Sequence, residues 1–204
     1  MKRAALIIFL LVACALLANA QESNRTGDVQ SFREARDKVF RNPRLTPLAN
    51  EDFTNFKGLE YFAESEKYVV RARLEKTSDA QFFMMPTSVG APRKYFKYGV
   101  LTFEIDGQSF TLNAYQSEEA ARRNVMLFVP FRDLTNGAET YGAGRYLDIK
   151  IPSESEIVLN FNIAYNPSCA YSDRFSCAIP PKENFLQTEI RAGEKIFHAA
   201  AKKQ

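Results

Sequence analysis

The apolar positions of the chain change their period several times, and each change marks an element. At its start, Ala4 to Leu17 is an almost unbroken apolar run behind Lys2 and Arg3, followed by the small-x-small triplet Ala18-Asn19-Ala20. That order matches a secretory signal with cleavage before Gln21. Over Val29–Phe40 the residues Phe32, Val39 and Phe40 recur at helical spacing, which predicts an amphipathic helix ended by Asn42-Pro43. From there the period falls to two. Tyr68, Val70, Ala72 and Leu74 alternate with Val69, Arg71 and Arg73, the pattern of a strand with one wet face. Gln81–Met85 is a short apolar run closed by Pro86. Tyr95–Ile105 and Gln108–Tyr115 flank Asp106-Gly107, the dipeptide of a two-residue hairpin turn.

The second half continues in strands. Ser117–Asn124 is polar and helix-prone. Met126–Phe131, Arg145–Ile151 and Ile157–Ile163 read as strands, and Phe185–Arg191 as a final edge strand. Gly193–Lys203 reads as a weak helix, and Asp52–Phe62 as an irregular approach to the first strand. The resulting fold class is mainly β: an antiparallel sandwich or partly closed barrel with an N-terminal helix packed on it. Residues 1–20 are expected to be a signal peptide and residues 21–204 one β-rich domain.

Composition narrows the classes. The formal charge of the chain is +3, and two of its cations, Lys2 and Arg3, lie in the signal. A near-neutral mature surface argues against nucleic acid as a partner. No later apolar run is long enough to span a bilayer. Leu11-Val12-Ala13-Cys14 resembles a lipobox, so a lipid anchor at Cys14 is the alternative to a soluble exported protein, periplasmic or extracellular. Once the signal is removed, Cys169 and Cys177 remain as an even pair in an oxidising compartment, for which a disulfide is the default expectation. The chain has a single His, His198. This argues against a metal centre and against Ser/His/Asp or Cys/His catalysis.

The stretch Leu127–Asp148 concentrates polar groups beside glycines. Arg132, Asp133, Thr135, Glu139, Tyr141 and Arg145 lie between two apolar runs, with Asn136-Gly137 and Gly142-Ala143-Gly144 among them. Asn162 and Tyr165 could join them on one pocket. In one reading Arg132 or Arg145 holds a carboxylate or phosphate, and Asp133 or Glu139 accepts a hydrogen bond or a proton. In the other, carboxylates cap turn amides, arginines pair with them, and the glycines serve positive-φ turns. Three functions follow: an exported protein binding a small polar or anionic ligand, an enzyme with Asp133 or Glu139 as acid/base, or a structural envelope protein.

The motifs themselves resemble a family. Phe128-Val129-Pro130-Phe131-Arg132-Asp133-Leu134-Thr135, Glu139-Thr140-Tyr141-Gly142 and Gly144-Arg145-Tyr146-Leu147-Asp148 are similar to the bacterial and archaeal domain-of-unknown-function family 1684 (DUF1684). So are Ala164-Tyr165-Asn166-Pro167, Cys169-Ala170-Tyr171, Cys177, Pro180-Pro181, Glu183-Asn184 and Gly193-Glu194-Lys195. The chain departs from the family pattern at Asn160, where Asp is usual, at Ile163, where a basic residue is usual, and at Ala178, where Pro is usual. The resemblance implies a fold and a site location, but no reaction.

Overall fold

The structure, a computed structural model, describes residues 29–78 and 82–198. The signal, the lipobox and residues 21–28, 79–81 and 199–204 lie outside the described residues. The chain divides into a segment ending at Val39 and a unit Phe40–Gln204. Helix α1 covers residues 29–40, as the spacing predicts, and Gln30 donates to Glu34 one turn on.

Among the described residues of the second unit, seven strands form one antiparallel sheet that curls into a half-barrel. They are β1 (Val69–Lys76), β2 (Phe82–Met85), β3 (Arg93–Ile105), β4 (Gln108–Ser117), β5 (Met126–Phe131), β6 (Arg145–Lys150) and β7 (Glu156–Asn160). The order across the sheet is β6-β5-β4-β3-β1-β7, with β2 on the N-terminal half of β3. The β3–β4 hairpin closes where expected. Asp106 and Gly107 have φ of 53° and 75°, the left-handed pair that a type I′ turn needs.

Alternation decides which face is wet. Val70, Ala72 and Leu74 of β1 are buried while Arg71 and Arg73 are exposed; Ile157 and Leu159 of β7 are buried while Val158 is exposed. The buried faces meet in one core. Leu101, Phe103, Leu112, Leu127, Val129, Phe131 and Leu147 are joined there by Phe161, Leu186, Ile190 and Ala192 from the C-terminal irregular segments. Each fully buried Leu or Phe contributes about 1.5–3 kcal/mol.

Some expectations are corrected. Asn50–Asn55 forms a short helix, α2, that runs into the start of the stretch expected to be irregular, Asp52–Phe62. The strand expected through Ile163 stops at Asn160, because the Asn160 side chain accepts from Asn162 N–H and caps a 3₁₀ turn, Phe161–Ile163. Phe185–Arg191 is not a strand; only Phe185 makes a bridge, with Arg132. Residues 193–198 are not helical. Gly193 has φ +75°, and a Cβ there would lie 2.5 Å from the Ala164 carbonyl oxygen, so the backbone is clamped in a non-helical turn.

Candidate functional site

β5 and β6 are adjacent antiparallel strands, and the Leu127–Asp148 stretch is the hairpin they make. Its loop is a closed hydrogen-bonded knot. The Thr135 carbonyl accepts from the N–H groups of Ala138, Glu139 and Thr140. Asn136 accepts from Asp133 N–H at 2.7 Å and donates to the Tyr141 carbonyl at 2.9 Å. The Thr135 and Thr140 hydroxyls are 2.8 Å apart. These residues are Thr, Asn and Asp because short polar side chains can satisfy the backbone of a buried turn.

Arg145 is the centre of the buried set. Its side chain is fully buried, as is that of Asp133, and Arg145 Nη2 lies 2.9 Å from Asp133 Oδ2. The same guanidinium donates to the carbonyls of Ile190 (2.8 Å) and Ala192, and its plane lies over the Phe131 ring at 5.3 Å. Burial pushes the guanidinium below its ordinary pKa, and the carboxylate of Asp133 opposes that shift. Asp133 is equally committed. It accepts from Thr135 N–H, the Thr135 hydroxyl, Ile190 N–H and Arg145. Four donors match the about four lone-pair positions of a carboxylate, so none is left for a substrate. Asn162 is also fully buried and bonds Ser65 N–H and carbonyl, both at 3.0 Å.

The other candidates face outward and in different directions. Arg132 is exposed, with its guanidinium 5.7 Å from the Phe185 ring. Glu139 pairs with Arg191 at 2.9 Å on the surface. Tyr141 donates to Cys169 Sγ at 3.7 Å, and Tyr165 donates to Asp148. The eight sequence candidates therefore do not converge on one cavity. Asp133, Thr135, Arg145 and Asn162 are interior ties, Arg132 and Glu139 lie near the C-terminal segment, and Tyr141 and Tyr165 lie on the Tyr146 side.

That last side is the densest meeting of functional groups. Tyr146 packs edge-on against Phe128 (4.7 Å) and Tyr165 (5.8 Å), and Phe128 stacks on Tyr95 (5.5 Å). The pKa of Tyr146 is raised, first by burial and then by the two sulfurs, Cys177 and Cys169. Tyr141 is raised first by burial and then by its bond to Cys169. The two cysteines are free in this structure, so the expected disulfide is not shown. Cys169 N–H instead donates to Cys177 Sγ at 3.2 Å. Each is held by its own backbone bonds, Cys177 to Ser88 and the Cys169 turn to Pro167.

Sequence reasoning missed three contributors. Glu194 is buried and accepts from the Tyr171 hydroxyl and from Asn166 N–H at 3.0 Å. Asn184 is fully buried and bonds Asn113 and Pro130. Tyr146 was read only as a strand residue. Glu194 and Asn184 both sit in short polar motifs of the family resemblance, and that was the available signal. A cleft of about 200 Å³ among the described residues is lined by Asp52, Lys57, Glu60, Glu194, Ile196 and His198, and Ile196 N–H donates to the Glu139 carbonyl of the hairpin loop. No group of His, Cys, Asp and Glu among the described residues has metal-ligand geometry, and no described helix is long and apolar enough to cross a membrane.

The family model for "Protein of unknown function (DUF1684)" matches residues 54–195. The solution NMR structure of an uncharacterized protein from Haloarcula marismortui is 35% identical, with a TM-score of 0.69. The match covers 86% of this chain and 96% of that one. No curated protein matches.

Proposed function

Since the chain belongs to the DUF1684 family, whose description carries no activity, we propose its role from its own geometry: an exported protein that binds a small polar molecule on the Tyr146 side of the β5–β6 hairpin. Tyr95, Tyr141, Tyr165 and Asp148 supply the polar contacts. One observation carries the reading. The hydroxyl of Tyr141 and the Tyr165–Asp148 pair flank the same half-buried aromatic wall, while the loop behind them is saturated with internal bonds. A loop tied by this many internal bonds holds its surface side chains in fixed positions, which lowers the ordering cost of binding.

The same geometry redistributes the ligand's chemistry. Of the two cations an anionic ligand could use, Arg145 donates to Asp133 and backbone carbonyls inside the core, and Arg132 lies over Phe185 near the C-terminal segment. Asp148 with three tyrosine hydroxyls suits a neutral polar or hydroxyl-rich ligand better than an anion. The export part rests on the Lys2–Ala20 pattern, with cleavage before Gln21.

A thermal-shift screen of metabolites on the mature chain tests the binding. The expected result is a compound that raises the midpoint of the wild type and loses most of that effect with Asp148→Asn or Tyr165→Phe. A ligand whose affinity is indifferent to both substitutions, or a broad screen without any shift, overturns the reading. Mass spectrometry of the exported chain tests the other half; an acylated Cys14 at its N-terminus contradicts a soluble protein.

A further inference from the structure

We propose that Cys169 and Cys177 form a thiol–disulfide exchange site for a small-molecule disulfide, with Cys169 as the attacking sulfur and Cys177 as the resolving one. The inference does not depend on ligand binding at the neighbouring tyrosines.

The geometry separates the two sulfurs. Cys169 stands on the 3₁₀ turn Ser168–Ala170, and Cys177 follows the loop that returns to β2, where Thr87 and Ala178 make a bridge. Cys169 N–H reaches Cys177 Sγ at 3.2 Å, so the sulfurs are neighbours although eight positions apart in sequence. The Tyr141 hydroxyl donates to Cys169 Sγ, and the Ser88 hydroxyl also faces it. Cys169 Sγ thus faces two hydroxyl donors, Tyr141 and Ser88, which favour its thiolate, while Cys177 Sγ accepts one backbone donor, the Cys169 N–H. Both residues are half-buried, so a small reagent can reach them.

The electrostatics agree with that division. The Cys169 thiol is lowered to about 6, mainly by the hydrogen bond from Cys177 and further by Tyr141 and Ser88, against the opposing effect of burial. The Cys177 thiol is pushed strongly up, first because it keeps the proton shared with Cys169. The other groups facing the pair are Tyr95, Tyr146 and Arg93, whose guanidinium donates to the Ser176 carbonyl at 2.9 Å, while Asp173 acts on Tyr141. A low-pKa, accessible thiolate beside a second thiol is the arrangement that exchange chemistry needs.

The step balances. The Cys169 thiolate attacks one sulfur of R–S–S–R, forming a Cys169–S–S–R bond and releasing RS⁻. Cys177 gives up its proton, which leaves with the released thiolate as RSH. The Cys177 thiolate then attacks Cys169 Sγ, forms the Cys169–Cys177 bond and expels the second R–S⁻, which takes a proton from solvent. Two electrons pass from the dithiol to the small disulfide; excess thiol reverses the sequence. The fold does not depend on that bond. Cys177 N–H donates to Ser88 Oγ at 3.1 Å, Ser88 N–H to the Cys177 carbonyl at 2.8 Å, and Ala170 N–H closes the Cys169 turn on the Pro167 carbonyl at 2.9 Å, so both cysteines are held with their thiols reduced.

Reduced mature protein treated with oxidised glutathione, quenched in acid and read by mass spectrometry, tests the assignment. Wild type is expected to end as the internal disulfide. Cys177→Ser is expected to accumulate one glutathione adduct on Cys169, and Cys169→Ser to react at least ten-fold more slowly. Tyr141→Phe should slow attack by Cys169 several-fold with an unchanged circular dichroism spectrum. In the wild type, alkylation of Cys169 by iodoacetamide should rise through a midpoint near pH 6. Equal reactivity of the two single variants overturns the proposal. So does a folded wild type whose thiols do not react, or a Cys169–Cys177 bond that excess reduced glutathione cannot open.

Discussion

Arg145 and Asp133 face each other at 2.9 Å with both side chains fully removed from solvent. The pair lies at the base of the hairpin loop, and the same guanidinium reaches the carbonyls of Ile190 and Ala192. A single side chain therefore ties the sheet to a segment 45 or more positions away in sequence. Removing one partner of a buried ion pair leaves an uncompensated charge and typically costs about 3–5 kcal/mol. Arg145→Ala is expected to lose that much in equilibrium denaturation. Glu139→Gln, which breaks only the exposed pair with Arg191, should leave the midpoint where it was. Similar losses for the two would mean that Arg145 is not the tie.

Two glycines of the loop should respond differently to alanine. Gly144 has φ +103°, and a Cβ there would lie 2.6 Å from the Phe131 carbonyl oxygen, a backbone atom that cannot move aside. Gly137 has φ +86° with open space around it. Gly137→Ala should cost about 1 kcal/mol, the ordinary penalty of a left-handed residue. Gly144→Ala should cost clearly more. Urea unfolding of both variants checks the order, and equal costs would contradict the packing at Gly144.

Asn184 bridges β4 to β5 where their ladder is sparse; only Tyr115 and Phe128 are register partners. Its amide exchanges hydrogen bonds with Asn113 N–H and carbonyl, both at 2.9 Å, and donates to Pro130 at 2.7 Å. Asn184→Ala removes the partner of one buried backbone group, the Pro130 carbonyl, and of two half-buried ones at Asn113, each worth roughly 1 kcal/mol. A loss of about 2–4 kcal/mol is expected in denaturation, with added exchange at the Asn113 amide. Asn184→Asp should not rescue it, since a carboxylate supplies no donor.

Local signals in the chain were sufficient for most of the strands, though not for their order across the sheet. Asp106-Gly107 marks the β3–β4 turn, and the alternation of β1 and β7 gives the buried face residue by residue. The candidate site was legible only as a place. Whether Arg145 faces a ligand or the core depends on residues 190–194, and no local pattern links them to the hairpin. Asn160 shows why a departure from the family pattern need not matter there. Its role is to accept from Asn162 N–H at 3.0 Å, which needs one oxygen, amide or carboxylate. The non-helical turn at Gly193 was not legible, because its requirement, close approach to Ala164, arises only in the folded chain.

Amide hydrogen exchange at Ile190 tests the central claim most directly, because Ile190 N–H donates to the Asp133 carboxylate at 3.2 Å and its carbonyl accepts from Arg145. If Arg145 and Asp133 brace the C-terminal segment against the sheet, Ile190 should be protected in the wild type. In Arg145→Ala it should exchange faster by two orders of magnitude or more under native conditions, while the β3–β4 amides stay protected. An Ile190 amide that exchanges at the same rate in both proteins would contradict the brace.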